Sequence, residues 1–323
     1  MKKCGTGDEI IQQMYLTGSI MAVTISKGFF QKYVTGGVMG NSVLSFESVR
    51  EIINLALRED IGSGDITSSA IFSGREISDA VIIAKQEGIL CGGDMTGFVF
   101  QAVDPAVTVQ CNVKEGERVV PGDTVLSISG PTGSILTGER TALNFLQRMS
   151  GIATKTAKIA TMLKGTGIQV LDTRKTVPGH RVTDKYAVHT GGGTNHRIGL
   201  FDMVMIKDNH IKAAGGITRA VEMVKSAYGE KYRVEVETTC IGEVKEAVAC
   251  GADVIMLDNM KREQVIEAVE AIGGKAKIEV SGNIDEYKIH DLLDIKTGYI
   301  DYISMGSLTH SVEAFDFSMK FLK

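Results

Sequence analysis

The chain has 323 residues, enough for one large or two ordinary domains with a substantial core. Its 43% hydrophobic and 23% charged residues match a soluble globular protein, and a net charge of −4 argues against a nucleic-acid binder. Five scattered cysteines (Cys4, Cys91, Cys111, Cys240 and Cys250) without CxxC spacing suit reduced thiols in a cytoplasmic protein, not a disulfide framework or zinc site. No apolar run approaches the roughly 18 residues of a spanning helix, so no membrane partner is expected.

Lys2 and Lys3 are followed by Asp8 and Glu9 before any apolar stretch, which argues against a signal peptide. Residues 1–44 show no sustained period and are expected to be a poorly ordered extension outside the fold. FESVREIINLALRED then places Val49, Ile52, Ile53, Leu55, Ala56 and Leu57 on a broad helical face. IGSGDITSSAIF follows and is expected to form a turn and loop. From Asp79 to about Ile135 short β runs are punctuated by glycine. Within them VKEGERVVPGDTVLSISGPTGSIL resembles biotinyl- and lipoyl-type barrel-sandwich modules. SGPTGS lacks the lysine such a carrier displays, so only the architecture is expected. A helix is predicted over Thr137–Leu163, broken near Ser150 and Gly151, at a boundary between an N-terminal domain (45–152) and a second domain (153–307).

After Gly165 strand and helix alternate. The predicted strands are 168–172, 202–206, 233–237, 253–257, 276–280 and 301–305, with patterned helices between most of them. Repeated βα units imply a parallel sheet buried on both faces. Each strand ends in residues able to do chemistry: Thr173-Arg174-Lys175, Lys207, Glu237, Asp258, Ser281-Gly282 and Gly306-Ser307. A closed α/β barrel brings such ends to one face. An open doubly wound sheet, which would use only some of them, is the alternative.

Leu171–His210 is the densest run, with Arg174, Arg181, Arg197, Lys175, Lys185, Lys207, four histidines and the triple glycine Gly191–Gly193. Clustered cations and free backbone N–H groups both stabilise phosphate or carboxylate oxygens. Arg140, Arg174, Lys175, His196, Arg197 and Lys207 are therefore candidates for an anion pocket. Solvated surface charge is the competing explanation, strongest for Lys185 and Arg181. Glu237 and Asp258 can hold sugar hydroxyls or Mg²⁺ beside such a pocket, or simply neutralise its cations. The triple glycine, Ser281-Gly282-Asn283 and Met305-Gly306-Ser307 can offer amides to phosphate, although a glycine loop is more often only a turn. His196 and His210 lack ligand spacing for a metal, and no GxSxG elbow supports a serine nucleophile.

From about Phe46 to the C-terminus the chain resembles the quinolinate phosphoribosyltransferases. LREDIGSGDITS, GERTALNFLQRMSGIAT, LDTRKTVPGHR, KYAVHTGGGTNHRIGL, IKDNHI, VEVET, IMLDNM and DYISMGSLTHS occur in the family's order. The resemblance implies an α/β protein of the type II phosphoribosyltransferase class. It would combine a small α/β-sandwich domain, rejoined by about 308–323, with an incomplete six- to seven-stranded α/β barrel. It implies a homodimer whose active sites are shared, Arg140 reaching the site of the other subunit. Arg174, Lys175, His196, Arg197 and Lys207 would line the quinolinate and pyrophosphate region. Glu237 and Asp258 would hold the ribose hydroxyls, with Mg²⁺ on the donor, and Ser281, Gly282 and Gly306 the 5′-phosphate. The family's leucine and arginine are replaced by His180 and His189, and a usual second glycine by Asn283, which tolerates positive φ better than most residues.

The implied reaction joins the ring nitrogen of quinolinate to C1 of phosphoribosyl pyrophosphate, releasing pyrophosphate and then CO₂. The product is nicotinate mononucleotide, a step of de novo NAD biosynthesis. Quaternised nitrogen sinks the electrons of decarboxylation, so no organic cofactor is expected. Competing readings are a phosphoribosyltransferase for another ring acid, a Schiff-base lyase using Lys207, and a non-enzymatic barrel-sandwich binding module.

Overall fold

The computed structural model describes residues 9–16, 19–26, 44–293, 295 and 300–322. In a unit separate from Leu44–Lys323, strands β1 (Glu9–Leu16) and β2 (Ser19–Ser26) pair antiparallel, from Glu9 opposite Ser26 to Leu16 opposite Ser19. Leu44 departs from the expected 1–44 boundary, being buried in the core of the main unit, while residues 1–8, 17–18 and 27–43, and the poor order expected of them, lie outside the described residues.

Helix α1 (Phe46–Ile61) starts where the Ser45 and Ser48 hydroxyls each accept the other's backbone N–H at 3.3 Å. Val49, Ile53 and Leu57 recur four residues apart and are buried, at roughly 1.5–3 kcal/mol per side chain. Leu55 falls off this stripe and faces solvent, so the buried face is narrower than the sequence suggested. Part of the expected loop is instead α2 (Ile66–Ile71), because the Asp65 carboxylate accepts the Thr67 and Ser68 amides and caps a helical turn.

The next segment contains β3 (Ile77–Ala84), β4 (Gly88–Ile89), α3 (Gly93–Val103), β5 (Thr108–Cys111), β6 (Arg118–Val119) and β7 (Thr124–Pro131). The long helix α4 (Thr132–Met162) follows. It does not break at Ser150 and Gly151. Ser150 Oγ accepts from Cys91 N and donates to Cys91 O, both at 2.9 Å, so the hydroxyl is satisfied without disturbing the helix. Gly151 lets the chain near Glu313 approach: a Cβ there would lie 2.1 Å from Glu313 O. That approach steers the C-terminal segment back to strand β14 (Phe317–Phe321), giving an antiparallel sheet of order β14-β3-β7-β5.

From Gln169 onward the strands are β8 (Gln169–Leu171), β9 (Val204–Ile206), β10 (Val234–Thr238), β11 (Val254–Asp258), β12 (Lys277–Ser281) and β13 (Tyr302–Ser304). Between them come α5 (Arg181–Thr190), α6 (Asp208–Ala214), α7 (Ile217–Tyr228), α8 (Ile241–Ala249), α9 (Arg262–Ile272) and α10 (Glu286–Leu293). A single turn, α11 (Ser307–His310), follows β13. All pairings among these strands are parallel, in the order β8-β13-β12-β11-β10-β9. The order never reverses, and the last strand lies beside the first. That is the topology of a barrel, not of a doubly wound sheet with a switch point. Thr194 bridges the free edge of β8 in parallel, but β8 and β9 share no ladder among the described residues, so the barrel is incomplete.

Candidate active site

Side chains alternate along a strand, so residues two apart on β10 face the same way. Glu235 and Glu237 both turn into the barrel, as do Glu279 and Ser281 of β12, and Asp258 of β11 lies in register with Ser281. The upper layer holds the predicted strand-end residues. Lys207 Nζ lies 3.4 Å from Glu237 Oε2, directly after β9. Burial raises the Glu237 pKa, Lys207 opposes that rise, and the charge of Asp258 adds to it. Two carboxylates near enough to repel one another, with oxygen-only donors, suit Mg²⁺ or the hydroxyls of a sugar.

The phosphate-loop candidates lie beside this layer. A Cβ on Gly282 (φ +94°) would sit 2.3 Å from Asn259 Oδ1, so only glycine fits there. Asn259 and Asn283 adopt φ of 53° and 49°, and Asn283 Nδ2 donates to Asn259 Oδ1 at 3.2 Å. Asparagine thus takes the left-handed backbone at the position where a second glycine is usual. Lys288 Nζ donates to Gly282 O at 2.7 Å, and Ser304 Oγ bonds Ser281 Oγ at 2.9 Å. Gly306 packs against Lys175: a Cβ there would be 2.9 Å from Lys175 Cδ.

A second cation group lies between β8 and β9. Arg174 and Lys175 are exposed and make no side-chain hydrogen bond or ion pair among the described residues. Arg197 is buried, its guanidinium donating to Met203 O at 3.2 Å and to Met205 Sδ at 3.6 Å. Burial lowers the Arg197 pKa and so does the charge of Arg174, which places the two guanidiniums within electrostatic reach. Arg181 feels the same two effects. Asp172, Asp184, Asp202 and Glu235 offset part of this repulsion from nearby, but none of them pairs with Arg174 or Lys175, which leaves those two cations for an anionic ligand.

Under the cations is a layer that the sequence reading missed. Asp172, just after β8, ion-pairs with Lys185 of α5, and both are fully enclosed. The Asp172 carboxylate also accepts from Asn195 Nδ2 at 2.6 Å and from His196 N at 2.9 Å, while Lys185 Nζ donates to His196 O at 2.8 Å. Lys185 is therefore structural and not a solvated cation. His196 Nε2 lies 3.1 Å from Glu235 Oε2 and 3.2 Å from Glu279 Oε2. Burial works against the imidazolium, but the two glutamate carboxylates facing its Nε2 outweigh it and push its pKa to about 10. Burial and the charge of Glu279 in turn raise Glu235 to about 7. The donor atoms of His196, Glu235 and Glu279 lie within 4.8 Å of one another, a set able to take a metal, although His196 already serves as their cation. The detectable signal was the two-residue spacing of Glu235 from Glu237 and of Glu279 from Ser281.

Gly191, Gly192 and Gly193 do not form a phosphate loop. Their amides donate to Ala187, His189 and Val188 carbonyls, closing α5, and a Cβ on Gly191 would lie 2.4 Å from Ala153 O. His180 packs its ring against Phe145 at 5.8 Å, and burial lowers its pKa while the charge of Asp184 opposes that fall. Arg140 is exposed on α4 and touches none of the other site residues within this chain.

Residues 65–150 match the family described as quinolinate phosphoribosyl transferase, N-terminal domain, and residues 152–320 its C-terminal domain. A probable carboxylating nicotinate-nucleotide pyrophosphorylase of Bacillus subtilis is 41% identical over 84% of this chain and 92% of that protein. A decarboxylating quinolinate phosphoribosyltransferase of Nicotiana tabacum, described as mitochondrial, is 43% identical over 84% of this chain and 82% of that protein. The crystal structure of NadC from Streptococcus pyogenes superposes with a TM-score of 0.82 at 43% identity, covering 88% of this chain and all of that one. No helix among the described residues is long and apolar enough to cross a membrane.

Proposed function

The chain belongs to the quinolinate phosphoribosyltransferase family, and from that premise we propose that its barrel end converts quinolinate and phosphoribosyl pyrophosphate to nicotinate mononucleotide, pyrophosphate and CO₂. This is the carboxylating pyrophosphorylase step of NAD biosynthesis. The observation that carries the reading is the convergence of a like-charged guanidinium group with the Lys207–Glu237–Asp258 layer at the C-terminal ends of the strands.

Both substrates are strongly anionic. Arg174, Lys175, Arg197 and Lys207 line the acceptor and pyrophosphate region in this reading, where they orient quinolinate and stabilise the leaving pyrophosphate, and His196, pinned to Glu235 and Glu279 beneath them, adds its charge from that layer. Glu237 and Asp258 hold the ribose hydroxyls and are placed to stabilise a cationic sugar centre. Ser281, Gly282 and Gly306 hold the 5′-phosphate. Mg²⁺ bound with the donor substrate would neutralise pyrophosphate charge, and the oxygen donors of Glu237 and Asp258 fit it. Nitrogen quaternisation makes the ring the electron sink for decarboxylation, so no organic cofactor takes part.

The exposed position of Arg140 on a helix away from the other cations supports a homodimer in which it completes the partner's site. The antiparallel sheet and the parallel sheet support a small α/β-sandwich domain (45–152 with about 308–323) and a barrel domain (153–307). The composition supports a cytoplasmic enzyme without nucleic-acid or membrane partners.

The deciding assay mixes the protein with phosphoribosyl pyrophosphate and either quinolinate or nicotinate. Pyrophosphate and CO₂ released in equal amounts from quinolinate, with little turnover of nicotinate, is the expected result. Transfer to nicotinate without CO₂ would reject the reading.

A further inference from the structure

Arg181 opens α5 and has no place in the substrate contacts assigned above. Its surroundings give it another role. β8 and β9 share no ladder among the described residues, so the loops carrying Arg174 and Arg197 meet across the gap in the barrel. The main-chain ties there are near Thr194, whose amide donates to Val170 O while its carbonyl accepts from Asp172 N. Farther out, where the two guanidiniums stand, Arg181 spans the gap.

Each nitrogen of its guanidinium makes one bond. Nε donates to Thr176 Oγ1 at 2.7 Å and Nη2 to Arg174 O at 2.9 Å, both on the first loop. Nη1 donates to Ile198 O at 2.6 Å, next to Arg197 on the second loop. The second loop is closed beyond that point by Asp202, which accepts the Ile198 and Gly199 amides at 2.7 and 2.9 Å. The Arg174 carbonyl is further shared with the Thr176 amide.

All three acceptors of Arg181 are neutral oxygens, and it forms no ion pair with a carboxylate among the described residues. It stands half-buried beside Arg174, whose charge opposes its own, while Asp172, Asp184 and Asp202 favour it from farther off. A cation so placed gains little as a neutraliser. What it supplies is a rigid planar fork with three fixed donor directions.

We propose that Arg181 is a positioning residue that sets the spacing between Arg174 and Arg197, and so tunes the site for the two adjacent carboxylates of a pyridine dicarboxylate. This rests on the reading that Arg174 and Arg197 bind the acceptor. Lysine keeps the charge but donates from a single atom, without the three fixed and separated directions that the Thr176, Arg174 and Ile198 acceptors engage.

The test compares wild type, Arg181→Lys, Arg174→Ala and the double variant in the full chain, with kcat and both KM values and the thermal midpoint. Arg181→Lys should raise the quinolinate KM about tenfold or more, leaving the phosphoribosyl pyrophosphate KM within about twofold and the midpoint near wild type. In the Arg174→Ala background the same change should cost less than about threefold, because it acts through that residue. Millimolar guanidinium added to Arg181→Ala should recover part of the quinolinate affinity if that variant folds. The proposal is overturned if Arg181→Lys leaves the quinolinate KM unchanged while Arg174→Ala raises it, if both KM values rise together, or if the two substitutions are additive. Unchanged quinolinate binding in Arg174→Ala would instead reject the acceptor-site reading beneath it.

Discussion

At the N-terminal ends of the barrel strands, Asp253 accepts the Val234 amide at 2.7 Å, and Asp301 holds both the Lys277 ammonium and the Ile278 amide, at 2.6 and 2.9 Å. At the C-terminal ends Arg174 and Lys175 remain exposed without such partners, and Arg197 lies within the field of Arg174. A cavity of about 560 Å³ opens at the N-terminal end, lined by Asp253, Lys275, Lys277 and Asp301. Its Asp253, Lys277 and Asp301 are already matched, so they hold strand starts in place. The Arg174 and Lys175 charges are left for a ligand, and the difference shows that unmatched charge is the better guide to chemistry.

Between the two ends lies the buried layer of Asp172, Lys185, His196, Glu235 and Glu279, and the sharpest test removes part of it. Asp172→Ala strands a buried ammonium and should cost about 3–5 kcal/mol of stability, read from denaturant unfolding. A loss near that of a surface ion pair would show that this layer is not the anchor between the ends. Next in size, Lys207→Ala, Arg174→Ala and Arg140→Ala should each lower turnover or substrate affinity more than about tenfold, with thermal midpoints close to wild type. Near-normal kinetics in all three would erase the distinction between the ends.

The buried layer also predicts a pH slope. The folded-state pKa of His196 is raised from 6.5 to about 10, so its stabilisation is complete below 6.5 and is lost as pH rises towards 10. Glu235, raised from 4.5 to about 7, acts in the same direction over its lower window. The thermal midpoint should therefore fall between about pH 6.5 and 10, and His196→Gln should flatten that fall. A midpoint that rises over this range would mean that the glutamates do not hold the imidazolium. The smallest effect belongs to the N-terminal end: Lys277→Ala should leave turnover unchanged and barely move the midpoint, because its ammonium is exposed to water.

Much of this architecture was readable from residue patterns. Short apolar runs separated by amphipathic segments gave all six parallel strands, and the polar residue closing each run located Lys207, Glu237, Asp258 and Ser281. The buried layer was not readable in the same way, because Lys185, Glu235 and Glu279 belong to residue types that normally face water. Only tertiary pairing encloses them. The triple glycine misled for a related reason: composition cannot tell a loop offering its amides to a ligand from one whose amides close a helix. Ser150-Gly151 misled in the opposite sense, since a glycine expected to break a helix instead admits a neighbouring strand of chain.

That last feature limits how the enzyme can move. With 31 residues and no interruption, α4 is a strut of roughly 46 Å that belongs to both the antiparallel sheet's packing and the barrel's. Bending it at Gly151 would break intrahelical bonds where the Glu313 carbonyl is pressed against the helix. The helix therefore gives the halves of residues 44–323 no bending point at Gly151.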